Sequence, residues 1–214
     1  MQAIYNLFQQ ASQVIEQVEN FPYSITLQNF ITRVITLSKQ DKLILLANAN
    51  TATKLNLAYD KSITKLIEDY DQGKAQVNVH FHQDLANYII RDIDLLNPHG
   101  EKVLRGFTVI SLPDNQQIQD YIINLLVKQQ SLPIGYWLFQ QDLQLVDDLY
   151  DQVHNQEFLR IKMYRIPVQG LRDNTQGNSI LKQGCEDYKD LYIQIAVAEL
   201  FNLDVFKKYL KNLH

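Results

Sequence analysis

Downstream of Gly73, the spacing of apolar residues changes repeatedly between the period of two that is typical of strands and the steps of three and four that are typical of helices. β-branched and alternating residues predict four strands, at 76–81, 102–113, 134–139 and 157–168. Apolar residues at steps of three and four predict helices between and after them, at 83–96, 115–130, 141–154 and 186–213. Such alternation is typical of a sheet layered with helices, in which the strands can run parallel. The pattern therefore predicts an α/β (or α+β) region at 74–214 with about four strands.

The first 73 residues predict helices only. In 1–20, apolar residues from Ile4 to Val18 recur at helical spacing, and 26–37 repeats the pattern. Ser38 and Asp60 each precede a further helical segment, and Gly73 follows the last one at the position where glycine commonly ends a helix. The sequence predicts a helical N-terminal region at 1–73, a bundle of about four helices packed on the sheet, with a soft boundary at residue 73.

Composition narrows the functional classes. The net charge of −4 disfavours a protein that binds nucleic acid over its whole surface, which would be basic. Cys185 is the only cysteine, so an internal disulfide is excluded, and the longest apolar runs are too short to cross a bilayer. Only seven residues are glycine, and loops that cradle phosphates or cofactors need several. We expect a soluble cytoplasmic protein without a cofactor and without membrane association.

The leading candidate site is a basic strand beside a long loop. Arg160, Lys162 and Tyr164 alternate along the predicted strand 157–168 and therefore share one face. The loop at 169–184 holds three of the seven glycines, and it carries Arg172 and Lys182. These five residues could bind an anion or an acidic partner through guanidinium groups and an aromatic platform. The simpler interpretation is that the acidic segment at 129–159 faces its own basic strand.

Two other candidate sites are weaker. Residues 52–67 have some features of a helix-turn-helix, with Lys54, Lys61, Thr64 and Lys65 positioned to reach DNA. The spacing is one residue too long and the turn has no glycine, so an ordinary helical hairpin with solvated lysines is the alternative. His80 and His82 stand two apart on a predicted strand and would share a face as partial metal ligands. They equally suit the polar face of a half-buried strand, and we predict no metal.

These features favour a non-catalytic regulatory or protein-interaction module that binds an acidic partner or anion, in preference to an enzyme. The partner is expected to be a protein, and the sequence leaves the oligomeric state open. One alternative is a DNA-associated regulator that uses the lysines of 40–70 on duplex DNA. Another is an enzyme that acts on a phosphorylated or nucleotide-like substrate near Arg172 and Lys182.

Overall fold

The computed structural model describes residues 2–17, 29, 32–33, 35–36, 62–85, 87–128, 133–154, 157–171 and 190–210. These residues form six strands and five α-helices, together with a short 3-10 turn at Val168–Gly170. The strands are β1 (Gln76–Leu85), β2 (Tyr88–Leu96), β3 (Lys102–Ser111), β4 (Gln144–His154), β5 (Glu157–Pro167) and β6 (Tyr192–Asn202). The helices are α1 (Gln2–Glu16), α2 (Ile63–Asp71), α3 (Gln116–Lys128), α4 (Ile134–Leu138) and α5 (Leu203–Leu210).

The six strands form one sheet in the order β1-β2-β3-β6-β5-β4. The mixed helix and strand class is confirmed, while the sheet has six strands instead of the expected four. Every neighbouring pair is antiparallel, which settles the strand direction that the sequence left open. The last strand, β6, inserts between β3 and β5 in the middle of the sheet. The last strand in the chain is therefore a central strand of the sheet, and β6 contributes side chains to the core on both faces.

Helices cover both sides of the sheet. Face A is the side that bears Phe107, Ile161 and Ala198, and α1 packs on it through residues such as Phe8. Face B is the opposite side. At one end of face B, α2 and α5 cover a cluster around Phe158 and Phe201. At the other end, α3 and α4 cover a second cluster around Ile193 and Ile195.

The predicted N-terminal bundle differs from the structure. Helices α1 and α2 both come from the region 1–73, but they lie on opposite faces of the sheet and do not pack as a pair. Most of residues 18–61 lie outside the described residues. The division of the chain at residue 73 stays a prediction.

Three segments predicted as helices are strands. β2 lies within 83–96, β4 within 141–154, and β6 within 186–213, which ends with the helix α5. β2 and β6 are flanked by strands on both sides and have both faces covered. Apolar residues therefore occur at consecutive positions in these strands and do not alternate regularly with polar ones. In β4, Leu145 and Leu149 mimic helical spacing, yet Leu145 is exposed and Leu149 is buried. Pairing with β5 decides the conformation there.

One predicted strand is a helix. Residues 134–139 include three aromatic residues and Ile134, but Ile134–Leu138 form the short helix α4, which begins after Pro133. The strands predicted at 76–81, 102–113 and 157–168 correspond to β1, β3 and β5, and the helix at 115–130 corresponds to α3. No helix in the described ranges is long and apolar enough to cross a membrane.

A buried polar network joins α2, α5 and the turn between β2 and β3. The Tyr209 hydroxyl donates to Asp71 Oδ2 at 2.6 Å, and Asn97 Nδ2 donates to the same hydroxyl at 3.1 Å. Gly73 was predicted to end α2, but the left-handed residue there is Gln72, with φ 53°. Gly73 instead lies so close to Pro98 that an added Cβ would fall 2.9 Å from the proline Cβ. Its missing side chain lets the network close.

Candidate functional site

Two rows of side chains cross the middle of face B between its two apolar clusters. In the first row, Arg91 lies opposite Thr108, Thr108 opposite Val197, and Val197 opposite Lys162. In the second row, Ile93, Gly106, Glu199 and Arg160 are opposite one another in the same way. We call these eight residues the central rows. They hold three cations and one carboxylate on a sheet face that is apolar on either side.

A cavity of about 80 Å³ stands on the central rows. It exists because Gly106, Thr108 and Val197, in the two middle strands, are small, while the helices rest on larger residues at each end of the face. A Cβ added to Gly106 would come no nearer than 3.5 Å to any other heavy atom outside its neighbours. The cavity therefore has its floor at these small residues, whose side chains leave the space above them unfilled.

The N-terminal end of α2 and the short helix α4 line the cavity on the side away from the sheet. Ser62 caps α2, accepting a hydrogen bond from the Lys65 backbone N–H at 3.3 Å. A Cβ on Gly135 of α4 would lie 3.3 Å from Ser62 Oγ, so the two helices approach closely at this point. Beside them, the walls include aliphatic side chains, namely Leu95, Leu104, Ile134 and Leu138.

Arg160 is held by Glu199. Its Nε and Nη2 both donate to Glu199 Oε2, at 2.7 and 2.5 Å, and its guanidinium carbon lies 5.1 Å from the centre of the Phe201 ring. Both contacts use Oε2. Glu199 also lines the cavity.

Arg91 and Lys162 bring two more cations to the same cavity. Their residues are only 4% and 2% exposed. Burial lowers the pKa of Arg91 to about 10, because the charged guanidinium has lost much of its hydration. Both residues also interact with other groups of the protein. On the edge strand, the exposed Asp148 is the Cα partner of Lys162, and its carboxylate accepts from the Tyr150 hydroxyl. Among the described lining residues, Glu199 is the only carboxylate.

The size of the cavity limits what it can hold. One water molecule needs at least about 10–15 Å³ of this kind of volume, so a cavity of 80 Å³ has room for a few water-sized groups. The walls combine apolar side chains with a few converging polar groups, as is typical of small-molecule sites. The arrangement suits a small molecule that has one acid group and a short apolar part.

The structure brings together part of the predicted basic site. Arg160, Lys162 and Tyr164 share face B and all three line the cavity. Arg160 and Lys162 are buried, however, so they do not form the exposed strand surface that a protein partner would need. Arg172 and Lys182 lie outside the described residues, as does Cys185. The acidic segment does lie beside the basic strand, but as the neighbouring strand β4 and not as a helix.

The lysines proposed for DNA contact are only partly described. Lys54 and Lys61 lie outside the described residues. Lys65 is exposed and its Nζ lies 3.3 Å from Asp69 Oδ1 on the same helix. Thr64, which the helical pattern placed on the outward side, is 5% exposed and lines the cavity. One of the four therefore belongs to the face-B cavity.

A β-bulge separates the two histidines. Val79 pairs with Ile93 and Phe81 with Asp92, so one extra residue at His80 shifts the alternation of β1. Phe81 and Val77 consequently pack on opposite faces. His80 Nε2 lies 2.9 Å from Asp94 Oδ2, whereas His82 pairs with Arg91 on face B. The prediction that the histidines share a face is wrong, and the described residues contain no group of three or more metal-ligating side chains.

Of the eight residues in the central rows, sequence reasoning named only Arg160 and Lys162, and it missed the charged residues Arg91 and Glu199. Arg91 and Glu199 fall in segments that were predicted as helices, where a charged residue signals nothing unusual. Placed on strands, Arg91 alternates with Ile89 and Ile93, and Glu199 alternates with Val197 and Phe201. A lone charge on an otherwise apolar strand face is the signal that could have found both.

Comparison with known proteins adds no assignment. No protein-family model matches the sequence, and no curated protein matches it significantly.

Proposed function

We propose that this protein is a non-catalytic, regulatory binding module whose ligand is a small organic acid, held in the face-B cavity by Arg91 and Lys162. One observation carries the proposal. Three buried cations surround the cavity, and the described lining residues include a single carboxylate, Glu199. The three cations also interact with other groups of the protein, and their combined positive charge would attract an acid group on a ligand in the cavity.

The burial of the cations supports a small ligand in preference to a protein partner. A protein surface cannot reach Arg160 or Lys162 at 4% and 2% exposure, whereas a molecule of a few heavy atoms can occupy the cavity beside them. The proposal therefore keeps the anion of the original prediction and replaces the acidic macromolecule with a small acid. The DNA-associated and enzymatic alternatives stay predictions, since no contact among the described residues favours either.

The positions of Arg91 and Lys162 allow both to serve one ligand. They lie on β2 and β5 with two strands between them, so their Cα atoms are separated by about 14 Å, or three strand spacings. Both side chains are long and both line the cavity over Thr108 and Val197. A carboxylate placed above these two small residues would lie between the cationic groups, while its apolar part would meet Leu104 and Leu138.

The test is binding of four small acids, namely propionate, 3-methylbutanoate, L-alanine and L-valine, at millimolar concentration and constant ionic strength. We expect at least one to raise the melting temperature, because a ligand at one hundred times its Kd stabilises the folded state by about 2.7 kcal/mol. Isothermal titration calorimetry then measures its Kd. Chloride at the same concentration serves as the reference anion.

Two variants and a matched control locate the binding site. Arg91→Met and Lys162→Met keep an unbranched side chain of similar length but remove the charge, and each should weaken binding at least tenfold. Lys65→Met removes the same charge from a side chain that is 72% exposed on α2, and it should bind as the unaltered protein does. Failure of all four acids to bind, or equal binding by Lys162→Met, overturns the proposal.

A further inference from the structure

The two edges of the sheet differ in how well they are protected against pairing with another strand. β1 and β4 are the outermost strands, and among the described residues neither has a strand on its outer side. An edge strand presents backbone N–H and C=O groups that another extended chain can pair with, and charged side chains and bulges discourage such pairing. β4 bears Asp147 and Asp148, and its register with β5 is interrupted twice. β4 is therefore the protected edge.

β1 has much less protection. Within Gln76–Leu85, Asp84 is the only acidic residue, and there is no lysine or arginine. The single bulge of β1, at His80, leaves the residues on either side of it in regular register with β2. An edge strand of ten residues with so little charge suits the addition of another strand. β1 is therefore the edge at which the sheet can be extended.

The apolar side chains of β1 are incompletely covered within one copy of the chain. Val77, Val79 and Phe81 are half-buried, whereas Ile89 and Ile90 on the neighbouring strand β2 are buried. Val77 packs against the cluster on face B and Phe81 against the core on face A, so both faces have an apolar side chain near this edge. A strand added beside β1 would remove more of this apolar surface from water on both faces.

The charges at the two ends of β1 favour a second copy of this chain as the added strand. Lys74, just before β1, has a side chain that is 87% exposed, and Asp84, near the end of β1, is exposed as well. In an antiparallel pair of two β1 strands, the start of each lies beside the end of the other, so Lys74 of each copy comes near Asp84 of the other. Two β4 strands paired in this way would bring aspartates together, where like charges repel.

We propose that β1 is a dimerisation edge, at which two copies of this chain join their sheets by antiparallel pairing of β1 with β1. Each copy uses the same edge, so the contact closes around a two-fold axis and yields a dimer. The contact is small because each copy contributes one strand, and the dimer should therefore dissociate on dilution. The face-B cavity takes no part in this contact, so the dimer and the proposed ligand are tested separately.

Sedimentation velocity of the unaltered full chain, from micromolar to millimolar concentration, tests the assembly itself. We expect the mass to rise from that of one chain, 25.0 kDa, towards twice that value and no further. A mass that stays at one chain throughout overturns the proposal. A mass that keeps rising beyond two chains also overturns it, because an open-ended series requires two different edges to pair with each other.

Asn78→Lys tests the position of the contact. Asn78 is exposed near the middle of β1, so a dimer would bring the two new lysines close to the two-fold axis, and dimerisation should weaken by about tenfold or more. Gln144→Lys makes the matched change at an exposed residue of β4 and should leave dimerisation unchanged. Circular dichroism checks that both variants are folded. If Asn78→Lys has no effect, or if the two variants weaken dimerisation equally, the proposal is wrong.

Charge reversal tests the antiparallel direction. Lys74→Glu and Asp84→Lys each place like charges together between the copies, so each should weaken dimerisation. The double variant restores opposite charges and should recover the affinity of the unaltered protein. Since about 30 Å of extended chain separates the two residues within one copy, this recovery can arise only between copies. Both residues are exposed, so this set decides the question if Asn78→Lys does not fold. A double variant as weak as the single variants contradicts the proposal.

Discussion

The two faces of the sheet shift the pKa values of their buried arginines in opposite directions. Arg91 and Asp92 are adjacent in the chain, so β2 directs one to face B and the other to face A. On face A, Asp92 receives two parallel hydrogen bonds from Arg105, at 2.9 and 2.6 Å, and these bonds raise the pKa of Arg105. On face B, burial lowers the pKa of Arg91 to about 10.

The difference shows how to distinguish structural charge from a candidate site. Asp92 and Arg105 balance one to one, with side chains 3% and 13% exposed, as a buried pair must if it serves the fold alone. Among the described residues that line the face-B cavity there are three cations and one carboxylate, and they surround open volume, whereas α1 fills the corresponding space on face A. The open volume is what distinguishes the charged residues of face B from the pair on face A.

The largest effect is expected from Asp92→Ala on face A. Arg105 would lose its partner while remaining mostly buried, which costs about 3–5 kcal/mol of unfolding free energy. Urea denaturation followed by circular dichroism measures the loss. The double variant Asp92→Leu with Arg105→Met should recover most of it, since it removes both charges. A loss below 1 kcal/mol in Asp92→Ala would show that the pair on face A is not structural.

Arg91→Met on face B should act in the opposite direction. Because the pKa of Arg91 in the folded protein lies below its usual value of 12.5, folding disfavours the charged form, and Arg91 lowers the stability at neutral pH. Its replacement by an apolar side chain should raise the unfolding free energy by about 1–3 kcal/mol in the absence of ligand. The gain should shrink as the pH rises above about 10, where Arg91 begins to lose its proton in the folded protein. If Arg91→Met instead lowered the unfolding free energy, Arg91 would be a residue that stabilises the fold, as Arg105 is on face A.

A pair of small-residue substitutions compares the free space on the two faces. Ala198, on face A, is fully buried beneath the core that α1 completes, so Ala198→Val should cost about 1–3 kcal/mol by overpacking. Gly106→Ala adds a methyl group to the cavity floor at ordinary contact distance, so its effect should stay within about 1 kcal/mol. Thermal unfolding of both variants provides the measurement. Equal losses would mean that face B has no spare volume.

The smallest effect is expected at an exposed pair on α2. Lys65 Nζ lies 3.3 Å from Asp69 Oδ1, and the two side chains are 72% and 65% exposed. Solvent screens such a pair, and Lys65→Ala should cost less than about 1 kcal/mol. Urea denaturation under the conditions used for Asp92→Ala makes the comparison direct. A cost near that of Asp92→Ala would show that exposure does not rank the charged pairs of this protein.

Some of the site was predictable from the sequence. The alternation of Arg160, Lys162 and Tyr164 placed them on one face of a strand because β5 keeps a clear period of two. Arg91 and Glu199 were not predictable, because both were assigned to helices. His80 and His82 were predicted on one face, and a single inserted residue in β1 moved them apart. Local pattern carries no signal of a bulge, which is fixed by the register with β2.

The sequence by itself determined which segments are amphipathic, since α1, α2 and α3 and the strands β1, β3 and β5 follow from apolar periodicity. Only the tertiary structure decided that 88–96, 144–154 and 192–202 are strands, because hydrogen bonds to neighbouring strands override weak local preferences. The same pairing brought Arg91, Lys162 and Glu199, which are far apart in the chain, onto one face. A cavity depends on which side chains are absent from a shared surface, and only the assembled sheet defines that surface.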